Sequence, residues 1–463
     1  MRPALASGGR LVLSSEASPL AFAQRYPGVV VWGRYGGALA NGGERLALKD
    51  RNGRTVVSVD YRDGGGWAEG ADGGGRSLEM IDVRGDPDDP ANWQASGGVG
   101  GSPGAAYSAG VAGRVWLNEV MAENVSAVVQ GTNYSDWVEL FNPGGSAVSL
   151  AGWSLSDDGN ERKYVFPAGV ELAGGGYLVV WCDGATNRAG LQTRFGLDRE
   201  GESLFLYDAQ TNRVDGMSYG LQLADYTVGR VGGEWELTEP TPGGVNEVAN
   251  VGGVTNLVIN EFMADAPAGG EDWVELHNQS TNLPVGLRGL YLATSNALSQ
   301  IKDLSFVGPG GFVQLLADEK PGAGHLDMKL SAGGGGLMLL DETGLELNRV
   351  SYGLQREGVS QGRWPDGVGS WVSFAGRASP GVSNYAVVYL GPMLNELMAR
   401  NEGAVRDGSG RVVPQLPRGR ESVALSRGDG ARPGEVAEIV TRLVRIRRGD
   451  VAPSRRCRRR RVP

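Results

Sequence analysis

The stretch that decides the fold is Asp136-Trp137-Val138-Glu139-Leu140, which recurs letter for letter as Asp272-Trp273-Val274-Glu275-Leu276. Side chains alternate along both copies, so that Val and Leu share one face while Trp and Glu share the other. This period of two is typical of a β-strand. An Asn-Glu pair stands upstream of each copy and starts once more near the C-terminus, in Leu117-Asn118-Glu119, Ile259-Asn260-Glu261 and Leu394-Asn395-Glu396.

Other motifs repeat in the same order. Ser218-Tyr219-Gly220 returns as Ser351-Tyr352-Gly353, and a Ser/Thr-Pro-Gly tripeptide begins at Ser102, Thr241 and Ser379. The glutamates of the three Asn-Glu pairs are 142 and 135 residues apart. Solenoid repeats are only about 20–50 residues long, so each unit is predicted to be a domain in its own right.

The length of 463 residues fits about three domains of ~150 residues each. The repeats predict a partial domain (its C-terminal part) at residues 1–107, complete domains at 108–250 and 251–386, the start of a truncated copy at 387–413, and an arginine-rich tail at 414–463. The tail is interpreted as disordered or as the product of a shifted reading frame. Because the chain opens inside a unit, its N-terminus is expected to be incomplete.

Short alternating runs between glycine turns predict strands at residues 44–50, 202–208 and 336–341, and a second set at 9–13, 176–180 and 311–316. No helix is expected before residue 430, whereas residues 435–448 have the spacing of an amphipathic helix. Many short strands without helices predict an all-β chain of antiparallel β-sandwiches, with an irregular or partly helical C-terminal tail.

These motifs resemble the lamin tail domain. The resemblance rests on Asn-Glu followed by Asp-Trp-Val-Glu-Leu, and on Leu150-Ala151-Gly152-Trp153-Ser154-Leu155, Phe166-Pro167-Ala168-Gly169 and the closing Thr241-Pro242-Gly243. It implies tandem copies of an immunoglobulin-like β-sandwich, as in bacterial secreted and surface proteins. In those proteins the domain often stands beside nuclease, kinase-like or carbohydrate-processing domains. The family has no common activity and no catalytic residues to carry over, so the resemblance implies a module rather than a reaction.

Charge restricts the partners. From Arg411 onward the chain holds fifteen arginines, five acidic residues and no lysine, a net charge of +10, so that residues 1–410 carry −19 and the whole chain −9. An acidic body repels nucleic acid and anionic membranes, so nucleic-acid binding is expected only if the arginine-rich tail is genuine. No apolar stretch reaches the roughly 18 residues of a transmembrane helix.

The sequence predicts no catalytic, cofactor-binding or metal site. Neither of its two histidines, His277 and His325, follows a Gly-x-Ser-x-Gly elbow, and clusters with zinc-ligand spacing are absent. His277 takes the place that Phe141 has in the preceding unit, which indicates an ordinary strand-end residue. Two cysteines, Cys182 and Cys457, exclude a disulfide scaffold, and Cys182 is predicted to be a buried strand thiol. The protein is therefore interpreted as a non-enzyme.

Paired Trp and Glu side chains are compatible with a sugar-binding site. Trp137 with Glu139, and Trp273 with Glu275, place an aromatic ring beside a carboxylate, and aromatic rings stack on sugars. The favoured alternative is that Trp covers the rim of the sandwich while Glu bonds to a neighbouring strand. The Asn118-Glu119 pair and its copies are likewise interpreted as strand-end hydrogen bonding.

No cofactor is predicted, and calcium is the one ion considered. Asp86-Pro87-Asp88-Asp89-Pro90 and Asp157-Asp158-Gly159-Asn160 are oxygen-rich turns, which hard cations prefer. Neither stretch has EF-hand spacing.

The favoured function is a non-catalytic structural or adhesive module of a secreted or cell-surface bacterial protein, which binds protein or polysaccharide through loops and sheet edges. No signal peptide is visible, and the incomplete N-terminus is taken to explain this. One alternative is an accessory polysaccharide-targeting module of a larger multidomain enzyme. The other is nucleic-acid binding through the basic tail, which ends in Arg455-Arg456-Cys457-Arg458-Arg459-Arg460-Arg461.

Overall fold

A computed structural model describes residues 5, 9–49, 51, 53, 55–105, 115–184 and 189–385. The predicted truncated copy at 387–413, the arginine-rich tail at 414–463 with its helix, and Cys457 therefore lie outside the described residues. Among the described helices, none is long and apolar enough to cross a membrane.

The N-terminal region combines β-hairpins with one short helix. Its strands are β1 (Val12–Ser15), β2 (Val31–Tyr35), β3 (Gly43–Lys49), β4 (Thr55–Arg62), β5 (Leu78–Met80) and β6 (Trp93–Ala95). Strands β1 and β2 pair in parallel, and β3–β4 and β5–β6 are antiparallel pairs. Single 3-10 turns occur here at Glu69–Ala71 and Pro90–Asn92.

The helix α1 (Pro19–Arg25) corrects the expectation of no helix before residue 430. Proline at its first turn supplies a preset φ and needs no donor there. With seven residues the helix spans only about two turns, too few for a helical period to be recognised in the sequence.

Residues 115–249 form the first sandwich. Its strands are β7 (Trp116–Met121), β8 (Trp137–Phe141), β9 (Val148–Ser149), β10 (Ser154–Ser156), β11 (Tyr164–Val165), β12 (Glu171–Leu172), β13 (Tyr177–Trp181), β14 (Leu191–Gln192), β15 (Glu202–Tyr207), β16 (Arg213–Tyr219), β17 (Thr227–Val231), β18 (Glu234–Glu239) and β19 (Glu247–Val248). One sheet has the order β14-β13-β8-β7-β17-β18-β19 and the other β11-β10-β15-β16. Strands β9 and β12 form a separate antiparallel pair.

The second sandwich repeats this order. After a 3-10 turn (Val254–Asn256) come β20 (Leu257–Met263), β21 (Trp273–Asn278), β22 (Val285–Gly286), β23 (Tyr291–Ala293), β24 (Leu298–Gln300), β25 (Phe306–Val307), β26 (Phe312–Leu316), β27 (Gly335–Leu340), β28 (Glu346–Tyr352), β29 (Val359–Trp364) and β30 (Ser370–Ala375). The sheet β26-β21-β20-β29-β30 corresponds to β13-β8-β7-β17-β18, and β24-β23-β27-β28 corresponds to β11-β10-β15-β16.

Each sandwich has its own apolar core between its two sheets. In the first, Val138 and Leu140 of β8 meet Leu155 and Leu204 of the opposite sheet, and all four are fully buried. The second core is built in the same way from β20, β21, β23 and β27. The structure confirms the predicted all-β class and the immunoglobulin-like sandwich; the domain boundaries stay predictions.

Candidate functional site

The repeated Asn-Glu pair lies at a β-bulge in strand β7. The register between β7 and β8 shifts between Leu117 and Glu119, which leaves Asn118 as the extra residue. Its side-chain nitrogen donates to Glu139 Oε1 at 2.9 Å, and the other oxygen of Glu139 accepts from the backbone of Gly243. The bulge therefore turns Asn118 toward the neighbouring strand, where it binds Glu139 of the repeated pentapeptide.

Glu119 binds the end of the domain. Its Oε1 accepts from Thr227 Oγ1 at 2.7 Å and from the backbone N–H of Thr241 at 3.0 Å. Nearby, Asn246 donates to the backbone oxygens of Asn118 and Arg230, each at 2.9 Å. Thus Thr241 and Gly243 of the Thr-Pro-Gly closure supply donors to the two buried glutamates, and Asn246 binds the backbone beside them.

The second sandwich builds the same network. Asn260, again at a bulge, donates to Glu275 Oε1 at 2.9 Å, and Gly381 N–H donates to Glu275 Oε2 at 2.7 Å. Glu261 accepts from the backbone and the hydroxyl of Ser379, both at 3.2 Å. The Asn-Glu pair, the glutamate of the repeated pentapeptide and the Ser/Thr-Pro-Gly closure are therefore parts of one buried polar cluster in each sandwich, as the strand-bonding interpretation predicted.

The four glutamates are fully buried, at 0% exposure. Burial raises the pKa of Glu139 to about 7 and that of Glu275 to about 8, although hydrogen bonds from Gly243 and Asn118, and from Asn260 and Gly381, oppose the rise. Burial also raises the pKa of Glu119 and Glu261, whose hydroxyl and backbone donors act in the opposite direction. Carboxylates enclosed in this way cannot touch a substrate.

The predicted sugar platform has no exposed ring. Trp137 is 0% exposed and Trp273 is 5% exposed, so neither ring face can stack on a sugar. The aspartate that precedes each tryptophan is also used internally: Asp136 accepts from Asn124 N–H at 2.9 Å, and Asp272 from Ala266 N–H at 3.0 Å. The whole repeated pentapeptide therefore serves the fold.

The first calcium candidate, residues 86–90, contacts a lysine. Lys302 Nζ lies 3.4 Å from Asp86 Oδ1 and 3.2 Å from Asp88 Oδ2. Asp89 accepts from Ala91 N–H at 2.7 Å and from Ser203 Oγ at 2.9 Å. An ammonium group thus already neutralises these carboxylates, and a cation would have to compete with it. Calcium at this loop stays a prediction.

The second candidate, residues 157–160, is arranged similarly. Lys163 Nζ pairs with Asp157 and lies 2.9 Å from Asp158 Oδ2, while the other oxygen of Asp158 accepts from Asn160 N–H at 3.0 Å. These donors lower the pKa of Asp158 against the opposing effect of its partial burial. Within the described ranges, no three His, Cys, Asp or Glu side chains are grouped as metal ligands would be.

The two histidines lie in separate structural contacts. His277 stacks on Phe312 with ring centroids 4.3 Å apart, and its Nδ1 donates to Gly311 O at 3.1 Å. His325 Nδ1 lies 2.9 Å from Asp318, whose side chain is buried. In the part of the chain that the structure describes, no serine hydroxyl is hydrogen-bonded to either ring. Cys182 is fully buried, as predicted, and burial raises the pKa of its thiol.

The two sandwiches meet through a docking segment and an inserted segment. The docking segment is Ser218–Gln222, at the end of β16, and the inserted segment is Asp303–Phe306, which leads into β25. Gly220 N–H donates to Leu304 O at 3.2 Å, Leu221 N–H to Ser305 Oγ at 3.0 Å, and Phe306 N–H to Leu221 O at 2.9 Å. Leu304 and Phe306 join the core of the first sandwich, and Leu221 packs against that of the second.

Two sets of contacts were not predicted from the sequence: those of Arg230 and Arg363, and those of Lys302. Arg230 bonds Asp215 at 2.8 Å and Leu117 O at 2.9 Å, and Arg363 bonds Ile259 O at 3.0 Å in the second sandwich. The two arginines are in register, but each belongs only to a short Gly-Arg pair, Gly229-Arg230 or Gly362-Arg363, that stands between the longer repeated motifs. The Lys302 pair joins residues 214 positions apart, so no local sequence signal could have found it.

A cavity lies between the N-terminal region and the first sandwich. Its volume is about 740 Å³, and Leu13, Phe22, Leu78, Met80 and Trp235 contribute to its lining. It is open and broad, and apolar strand residues around it stay exposed, which distinguishes it from an enclosed substrate cleft.

Residues 108–221 match the family model of the Lamin Tail Domain. The match ends before the closing segment at 241–246 that completes the buried cluster of this sandwich. None of the curated proteins matches the chain.

Proposed function

Residues 108–221 belong to the lamin tail domain family, and from this premise we propose that the chain is a non-catalytic structural or adhesive module of a secreted or cell-surface bacterial protein. Residues 251–386 are a second copy of that domain in this proposal. The module binds protein or polysaccharide through its loops and sheet edges.

The observation that carries the proposal is the complete burial of the repeated polar side chains. Glu119 and Glu139, with Glu261 and Glu275 in the second sandwich, are enclosed and hydrogen-bonded within the fold. Features that one would first suspect of chemistry therefore maintain the sandwich. Recognition is left to surfaces such as the edge strand β30, where Val372 is exposed.

Binding to two cell-surface fractions tests this function. The purified chain is titrated onto immobilised bacterial wall polysaccharide and onto a surface-protein extract, each before and after protease digestion. Saturable binding to one fraction is expected, weakened by Val372→Lys on β30, whereas Val83→Lys in the N-terminal region is the matched control at another exposed valine.

Absence of binding to both fractions would refute an adhesive role. Turnover of an ester, phosphodiester or glycoside substrate that is lost in His325→Ala would refute the non-catalytic one. Protease-resistant binding would favour the alternative of a polysaccharide-targeting module of a larger enzyme. A DNA shift that weakens with salt and requires residues 411–463 would favour nucleic-acid binding.

A further inference from the structure

The pentapeptide of the docking segment, Ser218-Tyr219-Gly220-Leu221-Gln222, recurs without a change at Ser351–Gln355 in the second sandwich. Both copies begin in the last two residues of the final strand of the four-stranded sheet, β16 in the first sandwich and β28 in the second. The second copy therefore stands at the position through which the first sandwich holds its neighbour.

The local geometry of the two copies is the same. Gln222 N–H donates to Arg199 O at 2.8 Å, and Gln355 N–H donates to Ala332 O at 2.7 Å. Each glutamine side chain is buried and turns back to the glycine oxygen two residues earlier, at 3.0 Å in the first copy and 2.7 Å in the second. The second segment is thus held in the docking conformation with no neighbouring segment on it among the described residues, and little order would be lost on binding.

Occupancy distinguishes the two copies. A Cβ added to Gly220 would lie 2.0 Å from Ser305 Oγ of the inserted segment, whereas a Cβ added to Gly353 would meet nothing within 4 Å. Leu221 is half-buried against the second core, but Leu354 is 80% exposed. Within the described residues, no hydrogen bond involves the N–H of Gly353 or the N–H and oxygen of Leu354.

We propose that Ser351–Gln355 is a docking site for a further sandwich of the same kind. The partner inserts an extended segment with the chemistry of Leu304-Ser305-Phe306: a serine hydroxyl that accepts from Leu354 N–H, flanked by two apolar side chains. Backbone hydrogen bonds and burial of Leu354 hold the complex, as they hold the first interface. This docking site rests on the proposed function, in which the chain is a binding module.

A second copy of this chain is the poorer occupant. In the first sandwich, Leu150 N–H bonds Val170 O just as Leu287 N–H bonds Ser305 O in the second, which places Gly169-Val170-Glu171 at the position of the inserted segment. That stretch lacks the two apolar side chains and the central hydroxyl. A partner with an apolar–serine–apolar triplet fits the site better than this surface does.

A peptide tests the site. A fluorescein-labelled peptide of residues 301–308 (Ile-Lys-Asp-Leu-Ser-Phe-Val-Gly) is titrated with the full-length chain, and anisotropy is recorded. The site at 218–222 is already filled by the tethered copy of this segment, so the peptide reports on 351–355. Saturable binding is expected, with affinity at least about tenfold lower for Gly353→Val.

Two controls make the result decisive. The first control is the unfolding temperature of Gly353→Val, which should equal that of the wild type because the space above Gly353 is open. The second is a peptide with aspartate in place of Leu304 and Phe306, which should not bind. No saturable binding up to about 1 mM peptide, or equal binding to Gly353→Val, would overturn the proposal. Self-association of the chain that Gly353→Val abolishes would instead assign the site to a second copy. The assays with cell-surface fractions do not involve Gly353, so the two proposals fail separately.

Discussion

Replacing Glu139 with glutamine should raise the stability of the first sandwich relative to that of the wild type as pH rises. Glu139 is fully buried, and its two oxygens meet the N–H groups of Asn118 and Gly243. Burial raises its pKa from 4.5 to about 7 in the folded protein. Between these two pH values the folded state binds more protons than the unfolded state, so the free energy of unfolding falls as pH rises.

The size of the effect follows from that shift. The contribution of Glu139 is largest below pH 4.5, where it is protonated in both states, and is lost as pH rises through about 7. Discounted for solvent near the carboxylate, the difference in unfolding free energy between Glu139→Gln and wild type should grow by about 2 kcal/mol from pH 5 to pH 9. For a domain of this size that corresponds to roughly 4–8 °C in Tm.

Thermal unfolding followed by circular dichroism at pH 5, 6, 7, 8 and 9 measures this difference. The partly buried carboxyls Glu202 and Asp303 also contribute to the wild-type curve, because burial raises their pKa to about 8 and about 7. The variant is therefore always compared with wild type at the same pH. Exposed Glu247→Gln controls for the loss of one charge. A flat difference, or a variant that becomes relatively less stable at high pH, would show that the hydrogen bonds to the carboxylate outweigh its burial.

Three further predictions concern packing and charge. Gly220→Ala should lower the unfolding free energy by about 1–3 kcal/mol, because its Cβ would overlap the inserted segment, while Gly353→Ala should change it by less than about 1 kcal/mol. Urea unfolding measures both variants, and equal effects would contradict the conclusion that only Gly220 is covered. Asn246→Ala should cost about 2 kcal/mol in the same measurement, since two backbone oxygens lose their donor, and a neutral result would mean that water replaces the amide. The Lys302→Ala variant should have a lower Tm than the wild type, and its Tm should rise when CaCl2 is added, whereas the Tm of the wild type should not change with CaCl2. A calcium response of the wild type would show that the ion displaces the lysine from Asp86.

The sequence predicted the strands well because their signal is local. The alternation in residues 136–140 and the glycine turns around β3, β15 and β27 suffice to place them. The same alternation suggested one buried and one outer face, yet Trp137 and Glu139 are as buried as Val138. For Glu139 the buried partner is Gly243 of the closing segment, 104 residues later, a contact that no periodicity encodes.

The polar clusters were predictable in part. Repetition indicated that Asn118 and Glu139 bind within the fold, but not that they bind each other across a bulge, because a bulge leaves no mark in residue spacing. The role of Gly220 was also hidden, since the same pentapeptide is covered at 218–222 and open at 351–355. Two identical segments that have different neighbours in the fold cannot be told apart from the sequence.

The dependence of Glu119 on Thr241 has a consequence for synthesis. The ribosome adds about 5–20 residues per second, and the 122 residues between the two therefore take about 6–24 seconds to appear. During that time the first strand of the sandwich exists without the donors that its glutamate needs. We therefore expect the domain to mature only when its last residues emerge, and nascent chains stopped before position 241 to be targets for chaperones and proteases.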